Sequence, residues 1–329
     1  MIRSLEMFCG TGGLALGLHQ AGFQPTALLE WNKDSCDNIR ANIANGHAGV
    51  EDWNVVQVDV RFARYSDYGT GVQFVTGGPP CQPFSLGGKH KAHADVRDMF
   101  PEAVRAVREL QPQGFIFENV KGLLRKSFST YFNYILLQLS HPEIVAGADM
   151  DWMEHLKLLE EYHTFGSRDG LEYNVVFRLV NAADYGVPQQ RHRVVIVGFR
   201  NDFDAHWSFP EPTHSKSALN YAQFTDGSYW DEHKIAKSKR PPAKQMHLDA
   251  KPTLKRWQTV RDAIAGLPDP RSKASKDFVN HDFRDGAKPY AGHLSIPKIF
   301  AKYGKYSKLT ANVGMAAQGA GCGVCIERE

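Results

Sequence analysis

The pattern of apolar and polar positions over residues 1–200 predicts strands and helices in regular succession. Short apolar runs of strand length are followed by segments with helical spacing, and turn residues separate the two. The predicted strands span residues 3–8, 25–30, 55–58, 72–76, 114–118, 173–181 and 193–199, and the predicted helices span residues 12–21, 33–45 and 99–110. Such alternation indicates an α/β fold with a doubly wound, mostly parallel sheet that helices cover on both faces.

Two regions depart from this succession. Residues 126–170 hold helical stretches and a patch rich in His, Trp and acidic residues, and we interpret them as an insertion without chemistry of its own. From residue 201 onward the periodicity gives way to Pro, Lys, His and Trp, which is typical of irregular structure. The sequence therefore predicts a first domain over residues 1–200 and a second, smaller and irregular domain over residues 201–329.

The composition is that of an ordinary globular protein, with 42% apolar and 23% charged residues and no apolar run of membrane-spanning length. Its five scattered cysteines fit a reducing compartment, and hence the cytoplasm, better than a disulfide framework. Cys322 and Cys325 form a C-x-x-C pair, but no second pair lies near enough in the sequence to complete a zinc site. We therefore expect no metal.

Positive charge is concentrated in the second predicted domain. The net charge of +3 divides into −3 over residues 1–200 and +6 over residues 201–329. Residues 234–261 hold nine basic residues and one acidic residue. Trp230, His233, His247 and Trp257 lie in or near this segment. A basic segment of this kind fits contact with a phosphate backbone, which favours a nucleic acid as partner.

The loop after the first predicted strand has the features of a cofactor site. It is glycine-rich and opens the first predicted helix, so its backbone can approach a ligand and its amides favour an anionic group. Glu30 ends the second strand, where doubly wound folds place a carboxylate for ribose hydroxyls. The ring of Trp31 can stack on an adenine, and Asp59 after the third strand can accept from the adenine amino group.

The spacing of the glycines distinguishes between cofactors. The loop Phe8-Cys9-Gly10-Thr11-Gly12-Gly13 lacks the G-x-G-x-x-G pattern of dinucleotide sites. A nucleoside cofactor that carries a carboxylate instead of a pyrophosphate fits the loop, the acid and the aromatic ring together. S-adenosylmethionine answers that description.

A single cysteine marks the candidate catalytic loop. Cys81 lies in the segment GGPPCQPFS directly after the predicted strand at residues 72–76. The prolines of this segment fix their own backbone angles and remove amide donors, so the loop is stiff and can hold a side chain toward a substrate. Cys81 is therefore a candidate nucleophile.

Three further polar residues follow later strands. Glu118 ends the strand at residues 114–118, where it points into the cleft in which such folds bind ligands, and it is a candidate proton-handling group. Arg191 and Arg193 precede the last predicted strand and share one side of an extended chain, because they are two residues apart. Arginine binds a phosphate or a base carbonyl through two parallel hydrogen bonds.

These segments together resemble the DNA (cytosine-5)-methyltransferases, chiefly those of bacterial restriction-modification systems. The motifs occur in the family's order: FCGTGG, Glu30-Trp31, Asp59, GGPPCQPFS, FENV and QQRHR before a strand. The segment WQTVRDAI, which begins at Trp257, is similar to the one that follows the catalytic domain in this family. The resemblance implies an S-adenosylmethionine-dependent, Rossmann-like catalytic domain followed by a DNA target-recognition domain.

The resemblance also implies a mechanism. The Cys81 thiolate would attack carbon-6 of a flipped-out cytosine in double-stranded DNA, after which carbon-5 accepts the methyl group. Glu118 would bind the exocyclic amine and ring nitrogen 3. Arg191 and Arg193 would hold the base carbonyl and nearby phosphates and lower the pKa of Cys81. Pro79 would join the cofactor-binding residues Phe8, Gly10, Thr11, Gly12, Gly13, Glu30, Trp31 and Asp59.

Two other functions fit parts of this pattern. Relatives of the family methylate transfer RNA with the same catalytic residues, although the large basic second domain favours sequence readout on duplex DNA. A DNA- or nucleotide-binding subunit without activity is the second alternative, although binding alone requires no cysteine in that loop. Replacement of Cys81 distinguishes the latter alternative from an enzyme.

Two elements that family members carry after the recognition domain are missing from the sequence. One is an arginine-bearing helix of the type R-x-L-T-x-R-E-x-x-R-L-Q, and the other is a G-N-[SA]-V segment that closes the cofactor pocket. The most similar segment, at residues 309–314, lacks both the arginines and the Gly-Asn pair. We therefore expect the second domain to be incomplete, either because a second polypeptide completes a split enzyme or because the chain is truncated or frameshifted.

Overall fold

A computed structural model describes residues 1–81, 98–166, 170–203, 205–241 and 252–278 of the chain. Contacts divide it into two compact units. The first unit consists of Met1–Asn181 and Arg191–Glu211, and the second consists of Ala182–Gln190 and the described residues from Pro212 onward. Among the described residues, no helix has both the length and the apolar character needed to cross a membrane.

A seven-stranded sheet organises the first unit. Its strands are β1 (Ile2–Met7), β2 (Phe23–Glu30), β3 (Val55–Gln57), β4 (Phe74–Gly77), β5 (Gly114–Val120), β6 (Tyr173–Asn181) and β7 (His192–Arg200). Their order across the sheet is β3-β2-β1-β4-β5-β7-β6. Strands β1 to β5 pair in parallel, and β7 runs antiparallel to both of its neighbours. The predicted α/β fold with a doubly wound, mostly parallel sheet is confirmed.

In the described part of the chain, five α-helices accompany this sheet. They are α1 (Gly13–Gln20), α2 (Lys33–Ala44), α3 (Phe100–Leu110), α4 (Ser129–Ser140) and α5 (Trp152–Phe165). Local sequence explains two of their starts, because the Asn32 side chain accepts a hydrogen bond from the Ser35 amide and Asp151 forms a capping box with Glu154. A small core lies between α1, α2 and β2, and a larger core joins α3, α4 and α5 to the sheet.

The segment that we expected to be an insertion contributes to the larger core. Helix α4 buries Tyr131, Ile135 and Leu139, and α5 buries Leu156 and Leu159 in the same hydrophobic cluster. Helix α4, which lies between β5 and β6 in the sequence, therefore packs its apolar side chains into the core of the first unit. The sequence pattern missed this role because a helix that is buried on most sides shows little amphipathic contrast.

Short elements make up the second unit. A two-stranded parallel sheet pairs β8 (His214–Ser215) with β9 (Lys255–Arg256). Three single-turn helices accompany it: α6 (Lys216–Asn220), α7 (Ser228–Glu232) and α8 (Val260–Ile264). Ala222, Tyr229 and Trp230 form a small hydrophobic cluster within the unit. The sequence predicted this irregular character.

Glu6 is the most deeply buried acidic side chain among the described residues of the first unit. Glu6 of β1 is only 1% exposed, and its register neighbour on β4 is Thr76. Burial raises the pKa of Glu6 to about 8, although a hydrogen bond from the Ala15 backbone offsets part of the effect. Since the folded-state pKa lies above that of the unfolded chain, the folded protein retains this proton over the range in which the unfolded chain loses it.

We expect the free energy of unfolding to fall as pH rises from about 4.5 toward 8, by at most about 1.4 kcal/mol per pH unit from this group. The Glu6→Gln variant keeps a neutral side chain of the same shape, so it should lose this part of the pH dependence. Urea denaturation at several pH values measures it, with Glu161→Gln on exposed α5 as the control. Equal pH profiles for wild type and Glu6→Gln would contradict the assignment.

Candidate active site

The carboxyl ends of β1, β4 and β5 lie side by side. Met7 pairs with Gly77, and Gly77 pairs with Phe117 on its other side. The glycine-rich loop leaves β1, the loop that contains Cys81 leaves β4, and Glu118 immediately follows the pair in β5. The sheet therefore brings the predicted cofactor loop, the predicted nucleophile and the predicted acid to one edge.

The glycine-rich loop turns sharply over this edge. Phe8 has a φ of 55°, a left-handed conformation that is uncommon for a residue other than glycine. Gly12 has a φ of 83°, and a Cβ atom there would lie 2.9 Å from the Trp53 ring, so this position requires glycine. A Cβ atom at Gly10 would meet no other atom within 4 Å, and Thr11 and Gly13 are exposed to solvent. Backbone strain and open space together are typical of a ligand-binding turn.

Glu30 fastens the glycine-rich loop to the end of β2. Its Oε2 atom accepts a hydrogen bond of 2.9 Å from the Gly10 amide, and its Oε1 atom accepts one of 2.9 Å from the Asn32 amide. The residue is only 7% exposed. The ring of Trp31 beside it is 71% exposed and is thus available for stacking. Each carboxylate oxygen keeps a further lone pair with which to bind a ribose hydroxyl.

The carboxylate of Asp59 lies after β3 and has a partner of its own. Oδ1 accepts a hydrogen bond of 3.1 Å from the Arg61 amide, and both oxygens contact the Arg61 guanidinium. The hydrogen bonds from Arg61 lower the pKa of Asp59. Asp59 is therefore a charged acceptor whose orientation is set by Arg61.

The Cys81 loop rests against the end of β5. Pro79 is buried, and its carbonyl accepts a hydrogen bond of 2.9 Å from Nδ2 of Asn119. A Cβ atom at Gly78 would lie 3.8 Å from Oε2 of Glu118, so the loop passes directly beside the candidate acid. Cys81 itself is 6% exposed.

The two predicted arginines lie at the start of β7, with Arg193 inside the strand and Arg191 directly before it. Nε of Arg193 lies 2.6 Å from Oε1 of Glu118, and Nη2 of Arg191 lies 4.0 Å from the same oxygen. The pairing arises because β7 runs antiparallel beside β5, with Arg193 opposite Val120. Arg191 is about half exposed, and its amide donates a 3.1 Å hydrogen bond to Oδ1 of Asn181. Glu118 and both guanidinium groups thus form one cluster.

The expected lowering of the pKa of Cys81 by these arginines is wrong for this structure. Burial raises the pKa of the thiol well above its usual range, and the negative charge of Asp98 raises it further. Arg193 directs its charge to Glu118 instead. The free protein therefore holds Cys81 as a neutral thiol near pH 7.

Sequence reasoning assigned no role to three polar residues that hold this site together. Asn119 binds the proline loop, Asn181 orients the Arg191 segment, and Asp98 pairs with the backbone of Cys81. Asn119 lies within the FENV motif, so its position next to Glu118 offered a signal. Asp98 and Asn181 offered none, because their contacts join positions that lie far apart in the sequence.

Several residues in or near the basic segment have partners within the second unit. Trp230 and Trp257 are buried, and Nε2 of His233 lies 2.8 Å from Oδ1 of Asp262. Arg256 also binds Asp262, so these residues stabilise the unit. Lys234, Lys237, Lys239 and Lys255 are exposed. His247 and the rest of residues 242–251 lie outside the described residues, as do the C-x-x-C pair and residues 309–314.

Fold and site define the class of protein before any comparison. A doubly wound sheet carries a glycine-rich ligand turn beside a cysteine, a carboxylate and two guanidinium groups. This arrangement is typical of an α/β enzyme that joins a nucleoside cofactor to a second substrate.

The chain belongs to the C-5 cytosine-specific DNA methylase family, whose model matches residues 2–142 and 157–316. The resemblance inferred from the motifs is thereby confirmed. Residues 143–156, at the start of α5 and before it, fall between the two matched segments. Helix α4 lies inside the family match, in agreement with its place in the core.

Named relatives agree with this membership. The chain is 36% identical over 209 residues to the Type II methyltransferase M.NgoMIV of Neisseria gonorrhoeae, a match that covers 64% of this chain and 55% of that protein. It is 33% identical over 267 residues to the Type II methyltransferase M.AquIA of Picosynechococcus sp., covering 81% of this chain and 89% of that protein. The chain thus spans about half the length of the first relative and most of the second.

A solved structure is also similar. It is a DNA modification methyltransferase encoded within a prophage of E. coli, with 21% sequence identity and a TM-score of 0.47. The alignment covers 82% of this chain and 56% of that chain.

Proposed function

We propose that this protein transfers a methyl group from S-adenosylmethionine to carbon-5 of a cytosine in double-stranded DNA. The observation that carries the proposal is the shared sheet edge, at which the β1 and β4 loops and Glu118 converge. Family membership gives the base and the atom that is modified.

The residues at the end of β1 and β2 fit the cofactor. The open space at Gly10, the exposed ring of Trp31 and the buried Glu30 provide a cradle, a stacking face and an anchored carboxylate. We assign the cofactor contacts to Phe8, Gly10, Thr11, Gly12, Gly13, Glu30, Trp31, Asp59 and Pro79. When bound, S-adenosylmethionine supplies an electrophilic methyl group.

Cys81 would attack the cytosine ring, and Glu118 would bind the base. The thiol loses its proton to solvent, and Sγ of Cys81 adds to carbon-6, which makes carbon-5 nucleophilic. After carbon-5 has gained the methyl group, with S-adenosylhomocysteine as the leaving group, it gives up its own proton to solvent, and Sγ leaves as the ring regains its aromaticity. Glu118 would hold the exocyclic amine and ring nitrogen 3, with Arg193 keeping that carboxylate in place at 2.6 Å.

The reacting base has to leave the DNA stack, because a sulfur atom cannot reach carbon-6 within a duplex. Flipping costs roughly a few kcal/mol, which binding contacts to the base and its phosphates must offset. Arg191 is exposed beside Glu118 and would contribute to these contacts through the base carbonyl or a phosphate.

Incorporation of radiolabelled methyl groups into mixed DNA sequences, followed by bisulfite sequencing, tests the proposal directly. We expect the label on carbon-5 of cytosines within a short recurring sequence. Label confined to adenine or to exocyclic nitrogens would contradict it. Transfer RNA serves as the parallel substrate, and label on RNA alone would favour the RNA methyltransferase alternative.

The requirement for a second polypeptide stays a prediction. If the missing elements are supplied in trans, the purified chain should bind S-adenosylmethionine weakly and methylate DNA slowly. Co-expression with a polypeptide that carries both elements should restore each property. Full sequence-specific activity of the purified 329 residues would contradict the requirement.

We expect Lys237 and Lys239 to contact DNA phosphates, since both are exposed. Arg240 is less suited, because it pairs with Asp231 and donates to the Ile235 carbonyl. The double variant Lys237→Gln/Lys239→Gln should weaken DNA binding and reduce its salt dependence by about one unit of log–log slope per lost contact. Fluorescence anisotropy at several salt concentrations measures the slope.

The matched control for that measurement is Lys157→Gln, which removes an exposed lysine from α5 of the first unit. Its slope should equal that of the wild type. A double variant whose slope is also unchanged would place the DNA contacts elsewhere.

A further inference from the structure

The two ends of the segment that begins after Cys81 are joined by backbone contacts. Cys81 and Asp98 form an isolated antiparallel β-bridge, and the Met99 amide donates a 2.9 Å hydrogen bond to the Pro80 carbonyl. Residues 82–97 between them lie outside the described residues. The backbone of Cys81 is therefore fixed against the residue at which the chain returns to the core.

That returning residue is anchored by its own side chain. Asp98 is 9% exposed, and its Oδ1 atom accepts a 3.2 Å hydrogen bond from the Phe100 amide at the start of α3. Its Oδ2 atom accepts a hydrogen bond from the Tyr131 hydroxyl of α4. One carboxylate thus links the bridge at Cys81 to two helices.

Both helices pack into the larger hydrophobic core. Phe100 is fully buried, and Tyr131 is 8% exposed within the same hydrophobic cluster. The polar contacts continue behind α4, where the Tyr134 hydroxyl lies 2.8 Å from Nδ1 of His155, and Nε2 of His155 lies 3.0 Å from the Ile144 carbonyl. Burial, together with the Asp98 charge, raises the pKa of Tyr134 to about 12.

We propose that Asp98 is a positioning residue for Cys81, and that Tyr131 is the group through which it acts. The hydrogen bond between the Asp98 carboxylate and the Tyr131 hydroxyl holds the backbone of Asp98 against α4. Because the β-bridge joins Asp98 to Cys81, the backbone of Cys81 is fixed as well. The assignment rests on the proposed function of Cys81 as nucleophile. Family membership does not supply it, because it depends on contacts between α4 and the β-bridge.

The negative charge of Asp98 does not help the Cys81 thiol to react. An anion beside a buried thiol disfavours the thiolate that attack requires, so electrostatics alone would select against this residue. Among the described residues, the titratable groups near this carboxylate are the thiol itself, Tyr131 and Tyr134 of α4, and His155 of α5 behind them. Asp98 contributes by fixing the position of Cys81, through its hydrogen bond with Tyr131 and its β-bridge with Cys81.

Two substitutions separate geometry from charge. Asp98→Asn keeps an oxygen acceptor for the Phe100 amide and removes the charge, so the pKa of Cys81 should fall and its alkylation at fixed pH should become several-fold faster. Tyr131→Phe removes the hydrogen bond and leaves the charge, so it should lower the rate of methyl transfer about tenfold or more, with cofactor affinity unchanged. Tyr134→Phe is the control, because it removes a neighbouring buried hydroxyl that binds His155 instead.

The readouts are the rate of Cys81 alkylation by iodoacetamide at one fixed pH near 8, followed by peptide mass spectrometry, and single-turnover methyl transfer. Support requires faster alkylation in Asp98→Asn than in wild type and a greater loss of methyl-transfer rate in Tyr131→Phe than in Tyr134→Phe. An unchanged alkylation rate, or equal methyl-transfer rates in the two tyrosine variants, would overturn the proposal. Alkylation needs no catalysis, so it still tests the coupling if Cys81→Ser remains active and the proposed function itself fails.

Discussion

The Cys81→Ser variant should lose methyl transfer by roughly a thousandfold or more while it still binds DNA and S-adenosylmethionine. Serine matches cysteine in shape, and the site at which Cys81 lies is only 6% exposed, so the loop should keep its position. A hydroxyl, however, does not form the anion that adds to carbon-6, and the described surroundings of Cys81 do not favour an anion. Single-turnover incorporation of labelled methyl groups measures the loss.

Cys36→Ser is the matched control for this experiment. Cys36 is also fully buried, and its thiol donates to the Glu30 carbonyl, a contact that a serine hydroxyl can reproduce. We expect this variant to retain methyl transfer. Activity of Cys81→Ser above about a tenth of wild type would contradict the nucleophile assignment, whereas unchanged binding without activity would exclude the alternative of an idle binding subunit.

The Gly77→Ala variant should lower the free energy of unfolding by about 2–3 kcal/mol and disturb both site loops. An added Cβ atom would lie 2.3 Å from the Met7 carbonyl oxygen and 3.1 Å from its carbon. These are backbone atoms of the neighbouring strand, so no side-chain rotation can relieve the contact. Strands β1 and β4 would have to separate at the edge from which the glycine-rich loop and the Cys81 loop depart.

Urea denaturation and cofactor titration measure the two effects of Gly77→Ala. Gly17→Ala is the control, because a Cβ atom in the middle of α1 meets nothing within 4 Å and alanine favours the helix by up to about 1 kcal/mol. A Gly77→Ala protein as stable as Gly17→Ala would show that the two strands are less closely packed than the structure indicates.

Together, these variants address different parts of one edge. Cys81 supplies the proposed chemistry, Gly77 permits the close approach of β1 and β4, and Asp98 holds the returning chain. A loss of turnover in Cys81→Ser with unchanged stability, combined with a lower free energy of unfolding in Gly77→Ala, would separate the chemistry of the site from the packing of the strands. The Tyr131→Phe result then reports how much of the rate depends on fixed geometry.

Local sequence determined the elements and their order. The predicted strand at residues 173–181 has the bounds of β6, and α2 begins at the predicted Lys33, because Asn32 caps it. Apolar periodicity, caps and turn residues act over a few positions, so they can be identified without knowledge of the fold. The motif order likewise indicated the family before the structure was known, because each motif is a short local segment.

Tertiary structure decided how those segments meet and what environment each side chain has. The antiparallel direction of β7 places Arg193 against Glu118. The burial of Cys81 beside Asp98 raises the pKa of the thiol, which is opposite to the expectation. Trp230 and Trp257 are likewise buried by tertiary contacts within the second unit. Burial and ion pairing depend on residues far away in the chain, so a local pattern identifies the groups at a site but not their charge, partners or exposure.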